Sequence, residues 1–296
     1  MKLGVSINLF NGEELLESCL ENIRPYADTI CVIYQNVSNF GTHKKNLRPL
    51  ISELKEKGLI DHSILYTPNK DFDGLDEETK KTIKNEGNEF NGVTYDESIY
   101  YGIFNEMNKR NLSLDYLRLK GCSHLLDMDT DEFYSHEQIK EAIEHIESGG
   151  FDSSFCQMQT YYKEIDCVIV PPETYYVPFI YKIKENSKFE QIENSDFPVH
   201  CDGKRRIKSG YSYVFDRNEL EMHHLSYVRK DIDSMKSKFL NCSSRMNFTN
   251  DKINMIIKNW SEYKKGTNAT FNANGNGVKF FKTKVIKPII DNIKMK

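Results

Sequence analysis

The sequence has no C-x-x-C pair, no apolar run long enough to cross a bilayer and no large excess of charge of either sign. Each absence excludes something. The 7 cysteines, Cys19, Cys31, Cys122, Cys156, Cys167, Cys201 and Cys242, are odd in number and widely scattered. Zinc sites and disulfide frameworks usually announce themselves by close spacing, so these thiols are expected to be reduced and to pack as small hydrophobes. Lysine and arginine total 40 against 44 acidic residues, a net charge of -4. A main partner among nucleic acids would call for a basic excess, which is missing. Nothing approaches the roughly 18 apolar residues of a membrane span. The opening stretch Met1–Leu9 is too short for a signal-peptide core and has no small-residue cleavage site. The chain is therefore expected in the cytoplasm, with Asn247-Phe-Thr249 and Asn268-Ala-Thr270 as chance sequons.

What is present suits a globular protein. The 296 residues, 39% hydrophobic and 12% aromatic, are enough for a substantial core. The first half alternates strand and helix signals. Leu3–Leu9, Thr29–Tyr34 and Ser63–Tyr66 read as buried strands. Asn11 and Glu14 have the spacing of a helix N-cap with its capping box, and Pro25 closes that helix. Leu47, Leu50, Ile51 and Leu54 mark a second helix, stopped by Gly58. Asp71–Gly92 is polar and charged, the composition of a loop excursion. A long helix is predicted over roughly Asp96–Lys120 with a break near Asn111. His124–Leu126 is a short strand leading into acids, and Ser135 with Gln138 suggests another capping box.

This alternation predicts an α/β fold: a mostly parallel central sheet flanked by helices, Rossmann-like, with an α+β C-terminal part. Ligands in such sheets sit at the carboxyl ends of strands, where Asn8, Gln35 and Asp127 to Asp131 fall. Phe151–Phe215 reads as strands and loops, Asp231–Trp260 as helical again, Asn272–Gly277 as a loop and Val278–Lys296 as a basic amphipathic tail. That tail suits either a helix docked on the sheet or a peripheral contact with an anionic membrane. The expected division is a catalytic domain over 1–240, with halves 1–134 and 135–240, and a helical extension over 241–296.

The chemistry concentrates in Asp127-Met-Asp129-Thr-Asp131. In an extended chain, alternate side chains share a face, so these carboxylates would crowd together and repel unless a cation held them. Magnesium and manganese prefer such oxygen ligands. A plain solvated turn that caps the next helix is the structural alternative. An EF-hand loop needs glycine at its sixth position and glutamate at its twelfth; Glu132 and Gln138 stand there instead. An aspartyl-phosphate phosphatase motif would lie on the first strand with Thr or Val in place of Asp131. The remaining pattern is the D-x-D of nucleotide-sugar enzymes.

Val5-Ser-Ile-Asn-Leu-Phe-Asn11-Gly-Glu-Glu-Leu-Leu resembles the opening strand, loop and helix of family 2 glycosyltransferases with the GT-A fold. Gly121-Cys-Ser-His-Leu-Leu-Asp-Met-Asp-Thr-Asp-Glu-Phe133 resembles their strand entering D-x-D. Lys109-Arg110-Asn111 is similar to a basic element near the nucleotide phosphates. His223-His224-Leu-Ser-Tyr-Val-Arg229, followed by Lys236 and Lys238, is similar to a late His-x-Ser-aromatic segment of bacterial and viral relatives. Tyr34-Gln-Asn-Val-Ser-Asn39 departs from the family, which usually has acids there to hold the base. Amides can still pair with a base edge.

The resemblance implies a metal-dependent glycosyltransferase that moves a sugar from a nucleoside diphosphate sugar to a glycan or lipid-linked acceptor. It implies Mn²⁺ or Mg²⁺ on Asp129 and Asp131, with Asp127 in reserve and His224 as a further ligand. Asn8, Asn11, Gln35, Lys109, Arg110 and Asp129 are the expected nucleotide-sugar contacts. Arg205, Arg206 and Arg229 are further phosphate candidates. Inverting chemistry would need a carboxylate as base. Among Glu164, Asp166, Glu173, Asp196 and Asp202, the loop that joins acid to Lys204-Arg205-Arg206 favours Asp202. A nucleotidyltransferase, or a catalytically silent nucleotide- or carbohydrate-binding module of the same fold, is the competing reading.

Overall fold

The structure, a computed structural model, describes residues 1–44, 46–69, 97–190, 196–242, 249–267, 269–271, 279–288 and 293–295. The polar excursion at 71–92 and the loop at 272–277 lie outside the described residues. Four strands form the parallel core: β1 (Leu3–Leu9), β2 (Thr29–Tyr34), β3 (His62–Leu65) and β4 (His124–Asp129), side by side in the order β3-β2-β1-β4. Every residue of β1 is buried, the polar Ser6 and Asn8 included, as in a strand covered on both faces.

Alternation along β1 sorts the layers. Leu3, Val5, Ile7 and Leu9 pack with Leu15, Leu16, Leu20 and Ile23 of α1 (Glu13–Ile23) and with Ile51 and Leu54 of α2 (Arg48–Glu56). The opposite face carries Gly4, Ser6 and Asn8 toward α3 (Glu97–Leu119). There the hydroxyls of Ser6 and Ser113 meet at 2.6 Å. A Cβ at Gly4 would stand 2.9 Å from Leu117 Cδ2, so a larger residue there would have to push the Leu117 side chain aside. The break expected near Asn111 is not there. Helix α3 runs through it, and the Asn111 amide instead clamps the Phe189 backbone, donating to its carbonyl at 2.9 Å and accepting from its N–H at 2.7 Å.

The chain then builds β5 (Glu132–Tyr134), α4 (His136–Gly149), β6 (Ser153–Tyr162), β7 (Cys167–Val170), β8 (Tyr176–Lys182), β9 (Ser212–Val214), β10 (Glu221–Tyr227), α5 (Ile232–Asn241), α6 (Asn250–Glu262), β11 (Ala269–Phe271) and β12 (Lys279–Val285). Strand β8 joins the parallel core antiparallel to β4, and β6, β7, β12 and β11 continue the sheet outward. Strand β10 lies parallel to β6 and antiparallel to β5. The result is the expected α/β architecture, a parallel core flanked by helices with a mixed α+β part after it.

Two local readings need correction. The residue at the start of α1 is Gly12, at φ 93°, and no side chain caps the helix. Asn11 turns away to α5, donating to Ser237 O at 3.4 Å and accepting from the Ser237 hydroxyl at 3.1 Å. The tail is not a helix over 279–285. It is strand β12, antiparallel to β7 with Lys282 opposite Val170 and Val285 opposite Cys167. The edge of β7 supplies backbone partners there, and that overrides the amphipathic pattern. Among the described residues, no helix is long and apolar enough to cross a membrane.

Candidate functional site

In the β1/β4 register Ser6 pairs with Asp127 and Asn8 with Asp129, so both aspartates project to the α3 side. Helix α3 meets them with Arg110, buried to 2% exposure. Arg110 Nη1 donates to Asp127 Oδ2, and Nη2 donates to Asp129 Oδ1 at 3.0 Å and Glu106 Oε1 at 2.7 Å. Asn8 Nδ2 donates to the other Asp127 oxygen at 3.0 Å. Lys109 bridges Glu106 Oε2 at 2.9 Å and Gln35 Oε1 at 3.2 Å. Against the burial that would raise it, Lys109 and Arg110 hold the Glu106 carboxyl at about 2. The α3 spacing of Glu106, Lys109 and Arg110, three and four residues apart, makes this possible.

A second cation comes from far along the chain. Arg205, on the 3-10 turn Gly203–Arg205, forks onto Glu132 with Nη1 at 3.0 Å from Oε2 and Nη2 at 2.6 Å from Oε1. The same Nη2 donates to Asp129 Oδ2 at 2.6 Å. This is the planar, charge-assisted geometry at which arginine excels. Burial lifts the Glu132 carboxyl to about 7 with Arg205 opposing it. At Asp129 burial acts the same way, but Arg205 and Arg110 together hold the carboxyl below the usual range.

Asp131 belongs to a different neighbourhood. The strand ends at Asp129, and the chain turns through Thr130 before β5, so the three carboxylates do not form one row. Asp131 Oδ2 accepts from Arg229 Nη2 and, at 3.3 Å, from Lys238 Nζ. Its Oδ1 lies 3.7 Å from His224 Nε2. Arg229 is held by the Ser226 carbonyl at 3.1 Å and lies 3.8 Å from Glu14. Gly12 makes the room: a Cβ there would be 2.5 Å from Thr130 Oγ1 and 2.9 Å from Arg229 Nη1. Burial, opposed by Asp131, lowers His224 to about 4, so its imidazole is neutral near pH 7 and can offer a lone pair.

The donor set limits where a divalent cation fits. Among the described residues, no three metal-capable side chains converge. Both oxygens of Asp127 and of Asp129 already accept from protein donors. Asp129 would join a metal set only by releasing Arg110 or Arg205. Asp131 Oδ1 and neutral His224 Nε2, facing each other at 3.7 Å, have the chemistry and spacing of two neighbouring ligands.

Of the other expected residues, Gln35 is 1% exposed, and its amide donates to Val37 O at 3.1 Å and Asn39 Oδ1 at 2.9 Å, which shapes the turn after β2. Asn11 ties the β1–α1 turn to α5. Asp202 caps the 3-10 turn, accepting from Lys204 N–H at 3.0 Å, with Arg205 Nε 3.8 Å away. Arg206 donates to Cys201 O at 2.6 Å and covers the Phe197 ring at 5.3 Å. The sequence reading missed Glu106 and Glu132 as partners of the cations. The helical spacing of Glu106 was a usable signal, whereas nothing local ties Glu132 to Arg205.

No family model matches this sequence, and no curated protein does. Solved structures share a likeness at low score. The crystal structure of S. aureus TarS 1-349 is 14% identical, with 83% of this chain and 68% of that chain covered and a TM-score of 0.43. The same S. aureus protein in complex with UDP-GlcNAc is 14% identical over 88% of this chain and 72% of that one, at 0.37. Mannose-1-phosphate geranyltransferase from Thermus thermophilus is 14% identical, covering 62% and 51%, at 0.29. Scores of this size assign no chemistry, which has to come from the site's own residues.

Proposed function

We propose that this chain is a glycosyltransferase that takes a sugar from a nucleoside diphosphate sugar and places it on a hydroxyl of a glycan or lipid-linked acceptor. The carrying observation is the convergence of Arg229, Lys238 and neutral His224 on Asp131, just beyond the carboxyl ends of β1 and β4. Two cations and a neutral imidazole around one carboxylate suit a diphosphate, whose charge grows as the sugar departs. Arg205 and Arg110 extend the positive side toward Asp129. Asn8, Gln35 and Lys109 line the nucleoside end of this reading, and Asn11 holds α5, with its Lys238, against the β1–α1 turn.

Asp131 and His224 are the residues that would hold Mn²⁺ or Mg²⁺. Such an ion neutralises diphosphate charge. The protein's part is to orient the donor with Arg205, Arg229 and Lys238. In an inverting displacement the acceptor oxygen attacks the anomeric carbon opposite the diphosphate, and the acceptor proton passes to a carboxylate.

A thermal-shift panel of nucleoside diphosphates and their sugars, with and without MnCl2, tests this reading. A ligand at about 100 times its Kd should add about 2.7 kcal/mol to native stability. The expected result is stabilisation by at least one nucleoside diphosphate that needs Mn²⁺ in wild type and is lost in Asp131→Asn and His224→Ala. Pyrophosphate release from a nucleoside triphosphate would support nucleotidyl transfer instead. Binding of nucleotide sugars without turnover would mark a silent module. No shift with any nucleotide would overturn the proposal.

A further inference from the structure

The loop from β7 to β8 runs Pro171-Pro-Glu-Thr-Tyr175. Pro171, Pro172 and Thr174 are exposed, while Glu173 between them is turned partly inward. Its Oε1 accepts from the Thr160 hydroxyl at 2.8 Å. Its backbone carbonyl accepts from Arg217 Nη2 at 2.6 Å, which fixes the loop from behind. Among the described residues, Oε2 has no hydrogen-bond partner. One oxygen is fixed and the other is open.

The register gives this carboxylate its address. Thr160 on β6 pairs with His224 on the parallel strand β10. Partners in such a ladder point to the same face, on strands about 4.8 Å apart. Glu173 therefore stands one strand over from His224, on the face where His224 meets Asp131. Tyr227, further along β10, also feels the Glu173 charge.

We infer that Glu173 is the acceptor-side base, the carboxylate whose Oε2 takes the proton from the incoming hydroxyl. This rests on the glycosyltransferase reading above. In the step the acceptor oxygen bonds to the anomeric carbon. The bond from that carbon to the diphosphate oxygen breaks, and its electron pair stays with the diphosphate. The acceptor proton moves to Glu173 and then to water. Asp202 is less suited: it is engaged by Lys204 N–H and Arg205, and against burial Lys204 and Arg205 hold its carboxyl below the usual range. Burial raises Glu173 instead, with Thr160 and Arg217 opposing, and greater proton affinity favours a base.

The test uses Glu173→Gln in the full chain. Release of nucleoside diphosphate from a panel of nucleotide sugars with MnCl2, water acting as acceptor, is measured beside the thermal shift by nucleoside diphosphates. The expected result is a kcat fall of about 10²–10³-fold with KM and the thermal shift unchanged. Sodium azide, a nucleophile with no proton to lose, should restore turnover to the variant. Turnover within twofold of wild type overturns the assignment. So does loss of the thermal shift together with turnover, because that marks a structural role. If wild type neither binds nor turns over any nucleotide sugar, the transferase reading itself has failed, and this assignment goes with it.

Discussion

At the residue scale, the site depends on side chains whose charges are met by other side chains. Arg205 serves two carboxylates, so its removal leaves the buried Glu132 without this cation and Asp129 with Arg110. Breaking a buried pair on one side costs roughly 3–5 kcal/mol. Arg205→Met should lower stability by about that much in urea unfolding, and a loss under 1 kcal/mol would mean that the fork is weak. Gly12 is the second sensitive point. Its φ of 93° and its closeness to Thr130 and Arg229 leave no place for a methyl group. Gly12→Ala should cost about 1–3 kcal/mol and reduce the nucleotide-dependent thermal shift, because Arg229 must move. Unchanged nucleotide binding would show that Arg229 tolerates the displacement.

At the element scale, legibility follows the range of the interaction. Strands β1, β2 and β4 and helices α1 and α2 could be read because their burial patterns are local. Ser135 was also readable: its hydroxyl accepts from Gln138 N–H at 3.2 Å, as a cap should. The Gln138 side chain instead donates to Asn218 O at 3.3 Å, so the reciprocal half of the capping box is not made. Ser135→Ala should remove about 1 kcal/mol, visible as a melting point lower by about 2–4 °C. Strand β12 was not legible, since its conformation comes from β7, more than a hundred residues earlier in the chain. Arg205 and Glu132, 73 residues apart, posed the same problem. The aspartate cluster was found, but its geometry was not. The turn after Asp129 gives Asp131 separate partners, and no local pattern announces that turn. Thr283, opposite Ile169 in the β12/β7 ladder, offers a test of the pairing. Thr283→Pro should lower the melting temperature, and a variant that melts with wild type would show that this pairing does not support the fold.

At the scale of the whole molecule, buried neutral histidines make the fold sensitive to acid. Burial holds His223 at about 4, far below the usual 6.5 or so, with the Tyr161 hydroxyl beside its Nδ1 at 3.1 Å. A depressed histidine favours the unfolded chain once protons are available. Its contribution is therefore complete above about pH 6.5 and declines as pH falls toward 4. The difference in melting temperature between pH 7 and pH 5 should be smaller in His223→Asn than in wild type. An equal difference would assign the acid sensitivity to other groups. The architecture adds a consequence for ligand exchange. Arg110, Arg205, Arg229 and Lys238 each already rest on a carboxylate, so an arriving anion has to take these cations from partners the protein itself provides. When the cluster takes a diphosphate as proposed, the displaced carboxylates stay tethered beside it, so loading adds the ligand's negative charge unless a cation enters with it, and release leaves those carboxylates ready to close over the same positions.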